Sequence, residues 1–236
     1  MKESFFIWNG VDCRAMGMKL AGPVAIVRPE ERIQHVEIPG RSGDLTETQG
    51  ADVFNSYIQT ASVMMQGGYR ARDIFNWLKG EGYVTFSGEP DRRQKARIIG
   101  AITLDKHSAN LDWWEGEIQF YCQPLKELLS TKEETVSPSG TVVNSGDVDE
   151  KPVFLVTCSG GTATLTIGTK SISVSDNSQG TVLRIDSDAM MVTNTDQTAN
   201  WNKWAIGDYP VLKPGSNTIG GSGWTSVTIQ RRERFL

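Results

Sequence analysis

The chain contains two imidazoles, His35 and His107, so any general-base, nucleophile-activating or histidine-ligated metal chemistry has to run through them. His35 sits inside the alternating run QHVEI and His107 in the turn-like DKHSAN, and neither has a nucleophile or second ligand at a useful local spacing. A triad gathered from distant residues stays open at this level. Two acidic pairs stand out, Asp186 with Asp188 in RIDSDAMMV and Asp44 with Glu47 in PGRSGDLTE. Glycoside hydrolysis needs two carboxyls facing each other across a substrate. On one strand Asp186 and Asp188 share a face and leave no cleft, which favours a solvated turn between two strands. A calcium loop needs further oxygens after such a pair, and Met190-Met191 follow instead.

Gly220-Gly221-Ser222-Gly223 lacks a following helix to supply phosphate-binding amides, and reads as a hairpin loop before the last strand. Trp113-Trp114 and the pair Trp201 and Trp204 could stack on sugar rings. Adjacent Trp113 and Trp114 fall on opposite sides of a strand, one toward a core and one toward an interface. Trp201 and Trp204, in the polar stretch DQTANWNKWAIGD, are the better candidates for glycan contact. Cys13, Cys122 and Cys158 are widely spaced and odd in number, without a CxxC pair, and are expected as free, buried thiols. No metal site and no cofactor is expected, and the chain is read as a non-enzyme.

The elements that hold these residues are mostly strands. Ser4–Trp8 ends at Asn9-Gly10, a dipeptide that accepts the positive φ values of a tight hairpin. Pro23–Val27, Gln34–Ile38, Tyr57–Met65, Tyr83–Phe86, Lys95–Leu104 and Glu115–Tyr121 follow as strands, with Pro124 expected to stop the last. Pro39-Gly40-Arg41-Ser42-Gly43-Asp44 can only be loop, because proline lacks a ladder donor and the glycines free the backbone. One helix is predicted over Tyr69–Lys79, where Ala71, Ile74, Phe75 and Leu78 share a face and Gly80 ends the run. After residue 152 short strands alternate with turns: Val153–Cys158, Ala163–Ile167, Lys170–Val174, Thr181–Ile185, Met190–Thr193, Tyr209–Leu212, Asn217–Ile219 and Thr225–Gln230. That spacing without helical period predicts an antiparallel sandwich. Charge thins and Ser, Thr, Gly and Asn rise near residue 130, which divides the chain into a β domain with one helix (1–130), a linker (131–151, with one short strand at Thr141–Val143) and a sandwich (152–236).

At 236 residues the chain is long enough for two cores, and 38% hydrophobic with 22% charged side chains is ordinary for a globular protein. A net charge of −4 offers no polycationic surface for nucleic acid. MKESFFIWNG lacks the apolar region of a signal peptide, and no window of about 18 apolar residues exists, so neither export nor a membrane span is expected.

The order of pieces FFIWNGVD, VEIPGRSGDL, FNWLKGEGYVTFSGEPDRRQKARI, GEIQFYCQP, KPVFLV, LRIDSDAMMV, YPVLKPGSNTI and VTIQRRERFL resembles the distal tail protein family of long-tailed phages and prophages. The match runs over essentially the whole chain, with Gln94-Lys95 standing where such proteins often place an aromatic before the alanine. The resemblance implies a mainly β chain: an N-terminal β-barrel or sandwich-like domain with one α-helix, then a galectin-like antiparallel β-sandwich. It implies a homo-hexameric ring at the distal end of the virion tail, made in the bacterial cytoplasm. Such a ring joins the tail tube protein to the tail-associated hub protein, holds receptor-binding protein on its outside, and meets DNA only in transit. Pro39, Gly40, Arg41, Gly43 and Asp44 are the expected assembly contact, with Arg41 and Asp44 offering opposite charges to a neighbour. The rival reading is a carbohydrate-binding module for host-surface adhesion, using Trp201 and Trp204. Galectin-type sugar binding relies on a histidine-containing cluster, and the second half has no histidine.

Overall fold

The computed structural model describes residues 4–48, 50–67, 70–108 and 111–236. It is mainly β, with one α-helix among the described residues. The chain forms two compact units, Met1–Leu129 with Leu236, and Ser130–Phe235.

In the first unit the strands are β1 (Phe6–Trp8), β2 (Val11–Asp12), β3 (Met18–Leu20), β4 (Ile33–Val36), β5 (Leu45–Thr48), β6 (Tyr57–Gln66), β7 (Glu81–Phe86), β8 (Arg92–Ile99), β9 (Leu104–Ser108) and β10 (Leu111–Leu128). The main sheet is antiparallel in the order β2-β1-β7-β8-β10-β6-β3, with β9 on β10, while β4 and β5 pair only with each other. Strict alternation in β6 sends Ala61, Val63 and Met65 inward and leaves Ile58, Thr60 and Ser62 outside. The core gathers Phe6, Trp8, Met18, Ile118 and Phe120, with Phe6 edge-on to Phe120 at 5.4 Å.

Helix α1 spans Ala71–Trp77, shorter than predicted, and Tyr69 lies outside the described residues. Ile74 and Leu78 are its buried anchors, whereas Phe75 is 42% exposed, so the apolar face is narrower than the spacing implied. Pro124 does not end its strand. Strand β10 runs on through a bulge between Cys122 and Lys126, where the partner β8 advances only from Ala96 to Gln94. A bulge leaves residues outside the ladder, and that is where a proline without an N–H is tolerated. Pro23–Val27 forms no strand: prolines at 23 and 29 bracket it, and ordered backbone pairing resumes at Glu30, whose carbonyl accepts from the Asn55 N–H at 2.8 Å. The expected Lys95–Leu104 strand is two, broken at Gly100, whose φ of +71° turns the chain.

The second unit is a sandwich of two antiparallel five-stranded sheets. Its strands are β11 (Glu133–Val136), β12 (Thr141–Asn144), β13 (Val153–Cys158), β14 (Gly161–Ile167), β15 (Lys170–Asn177), β16 (Val182–Asp186), β17 (Met191–Asn194), β18 (Ala205–Gly207), β19 (Gly215–Ser222) and β20 (Trp224–Gln230). The sheet orders are β11-β20-β13-β16-β17 and β12-β19-β14-β15-β18. Phe154, Val156, Leu183, Ile185, Val227 and Ile229 from one sheet meet Leu165, Ile172, Val174 and Ile219 from the other.

Segment 131–151, read from sequence as a linker, contributes β11 and β12 to these sheets, with Val142, Val148 and Glu150 buried. Its apolar residues are few but well placed. Tyr209–Leu212 supplies a single bridge, Leu212 to Glu150, rather than a strand. The glycine run is also not a loop: Gly220 to Ser222 belong to β19 and Gly223 alone makes the turn into β20. Gly221 is required there, since a Cβ would sit 1.9 Å from the Thr164 carbonyl oxygen on the neighbouring strand.

Candidate assembly and ligand surfaces

The β4–β5 ribbon is the most exposed element of the first unit. Its register, Ile33 to Thr48 through Val36 to Leu45, leaves every residue at least partly open, with Ile33, Ile38 and Leu45 among the exposed large hydrophobics. A two-stranded ribbon standing alone is marginal in water. Pro39 to Asp44 form its tip, all exposed, with Gly40 and Gly43 at φ +82° and +80° and the Arg41 N–H donating to the Ile38 carbonyl at 3.1 Å. Neither Arg41 nor Asp44 has an ion-pair partner among the described residues. The tip therefore presents one free cation, one free anion and flanking apolar side chains on a projecting ladder.

Trp201 and Trp204 come together, their ring centroids 5.2 Å apart at 51°, on either side of a short 3-10 turn at Asn202–Trp204. Both pack against the sandwich core, and Lys203 Nζ lies 3.8 Å over the Trp204 ring. That ammonium covers one face of the Trp204 ring. Trp113 and Trp114 do alternate: Trp114 pairs with Met65, which is buried, and leans on the core.

His35 is exposed on β4, and His107 on β9 has Nδ1 3.1 Å from Glu115 Oε1, a cross-strand surface pair with no nucleophile. The described residues contain no cluster of histidine, cysteine and carboxylate side chains arranged to hold a metal ion. All three cysteines are buried and free. Burial pushes the Cys122 thiol up to about 12 and Cys158 up to about 11, and raises Cys13 as well. Native protein at neutral pH should leave a thiol reagent unconsumed until denaturant is added, when all three react. Fast labelling of any of them in the folded protein would contradict this packing.

Asp188 sits in the expected exposed turn between β16 and β17, but Asp186, the last residue of β16, is buried. Asp186 is 5% exposed and accepts from the N–H groups of Asp188 and Ala189, from Arg184 at 3.0 Å and from both Nη atoms of Arg232. Burial by itself would raise its pKa; the Ala189 amide and the two guanidinium groups outweigh it and hold the carboxyl below the usual carboxylate range. Asp188 takes Arg234 at 3.4 Å.

Beside it lies a second ionic cluster that the sequence pattern gave no reason to expect. Arg231, 6% exposed, grips the fully buried Glu150 with Nε and Nη2 and also meets Glu233, Glu134 and the Val143 carbonyl. The Arg232 backbone N–H donates to Glu150 as well. Burial, the largest influence on Arg231, pulls its pKa down, and the bond and charge of Glu150 with those of Glu233 and Glu134 reverse the sign, so the guanidinium is raised. The closing QRRER run is thus a structural clamp. The only signal available beforehand was the charge density of residues 231–234 immediately after a strand.

No protein-family model and no curated protein matches the sequence. Solved structures do. The Dit protein (gp 19.1) of phage SPP1, described as a paradigm of the hub adsorption apparatus in phages that infect Gram-positive bacteria, aligns over 100% of both chains with a TM-score of 0.80 and 17% sequence identity. The whole chain, both units in order, has the fold of a phage Dit hub protein.

Proposed function

We propose that the protein is a structural subunit of the tail tip of a long-tailed phage or prophage, of the distal tail protein type. The observation that carries this is the full-length fold correspondence with SPP1 Dit, covering both units in one alignment. In this reading six first units close head to tail into a ring, a heterologous contact repeated around a closed rotation. The exposed β4–β5 ribbon and the free charges of Arg41 and Asp44 supply material for that contact. The ring joins the tail tube to the hub protein, DNA crosses it in transit, and a net charge of −4 is compatible with a passage that must not retain DNA. The second unit, a galectin-like sandwich, holds receptor-binding components, and Trp201 and Trp204 are not its ligand contacts, since they pack on each other and Lys203 lies over Trp204. The role is structural, not enzymatic, in a virion assembled inside the bacterial host.

Native mass spectrometry of the full chain tests the ring. A particle of six times the 26.0 kDa chain mass, or a stacked pair of such rings, is expected. A monomer or dimer at every concentration, including with the tail-tube partner added, would overturn the assembly.

A further inference from the structure

The second unit carries nine cationic side chains from Lys132 to Arg234. Five of them, Lys151, Arg184, Arg231, Arg232 and Arg234, are ion-paired, and Lys203 lies on an indole. Of the remaining three, Lys170 and Lys213 line the same pocket, about 340 Å³ in volume. Neither has an ion-pair partner among the described residues, although the Asp149 carboxylate borders that pocket too. Three charged groups thus surround one concavity without neutralising one another.

The pocket is set by backbone, not by chance side-chain placement. Gly168-Thr169 is the two-residue turn joining β14 to β15, with Ile167 opposite Lys170 and Gly168 at φ +59°, which fixes where Lys170 leaves the sheet. On the other side Asn217, 8% exposed, accepts from the Lys213 N–H at 2.9 Å and donates to the carbonyls of Lys213 and Gly215. That holds the loop bearing Lys213 in place before any ligand arrives. Ile167 and Val211 are the large apolar residues that line the pocket.

We propose that this pocket binds a monosaccharide-sized polyol bearing one anionic group, a phosphate or a carboxylate. Its volume falls in the range of small-ligand sites. Lys170 and Lys213 take the anion. Asp149 accepts from a hydroxyl and repels a second negative group, which selects a single anionic end. Ile167 meets the carbon face of the ring. The site is separate from Trp201 and Trp204 and does not depend on ring assembly.

Calorimetric titration of the full chain with glucose 6-phosphate, glucuronate and glucose tests the proposal. Saturable binding of one or both anionic probes, with none for glucose, is expected, and the anion preferred tells phosphate from carboxylate recognition. Lys170→Gln and Lys213→Gln should each weaken binding about tenfold, the loss of one charged hydrogen bond. Lys132→Gln, outside the pocket, should change nothing. Equal binding of glucose, no saturation with either anion, or undiminished binding in the Lys170→Gln, Lys213→Gln double variant would overturn the site. The mass measurement of the ring is read independently, so either idea can fail alone.

Discussion

Replacing Arg231 with methionine is expected to destabilise the second unit by about 3–5 kcal/mol, because removing one partner of a buried ion pair strands the other. Two carboxylates would be stranded here. Glu150 is fully buried and Glu233 is 4% exposed, and both accept from Arg231 Nη2, at 2.8 and 2.9 Å. Methionine keeps the unbranched stem to about the position of Nε while removing the guanidinium group and its five donors, so most of the effect is electrostatic. Hydrogen exchange of peptides from residues 130–235 during chemical denaturation reports on this unit, since four of the seven tryptophans lie in the other. For contrast, Arg93→Met on the half-exposed pair with Glu127 should cost no more than about 1 kcal/mol, since solvent screens that interaction. A loss of under 1 kcal/mol for Arg231→Met would mean that the clamp adds nothing to a unit already held by its apolar core.

Arg41→Glu is expected to leave the isolated chain unaltered and to abolish the proposed hexamer. Within one chain Arg41 points into solvent from the ribbon tip, and a surface charge swap of that kind usually shifts stability by within about 0.5 kcal/mol. At a subunit contact the same change leaves an unpaired or repelled charge, costing about 2–5 kcal/mol where the pair is buried, and a closed ring repeats that cost at each equivalent interface. Melting temperature and hexamer fraction should therefore separate, the first unmoved and the second collapsing. Assembly equal to that of the parent would return the tip to the status of a solvated hairpin end.

What could be read from the residues alone follows a physical division. Alternating strands such as Tyr57–Gln66 and the Asn9-Gly10 turn announce themselves, because period-two burial and positive φ are local properties. The helix was legible in place but not in extent, since whether Phe75 is covered depends on neighbours distant in sequence. Pro124 misled for the same reason: its strand survives through a bulge set by register against β8, which no local pattern encodes. Segment 131–151 looked like a linker because its few apolar residues are isolated in sequence, while the structure fixes it largely through Glu150 and Arg231, 81 positions apart. The Pro39–Asp44 loop lies where the proline and glycines put it, at the end of a ribbon whose second strand, Leu45–Thr48, carries no apolar alternation to announce it. Trp201 and Trp204 were correctly placed outside a regular strand, but their mutual contact and the Lys203 ammonium were invisible at that level.

The clamp also bears on the order of events during synthesis. Strand β11, near the start of the second unit, pairs with β20, near its end, and Glu134 and Glu150 wait for Arg231. A ribosome emitting this chain releases β11 and β12 long before their partners exist. The edge of β13 that β20 will occupy, and the carboxylate of Glu150, therefore stay uncovered until the last strand emerges. Strands β1 through β9 of the first unit, in contrast, find their sheet neighbours within residues 4–128, and their pairing can form while translation continues. A messenger truncated before codon 224 would thus yield a chain whose early strands are paired but whose sandwich is unfinished, a natural substrate for proteolysis.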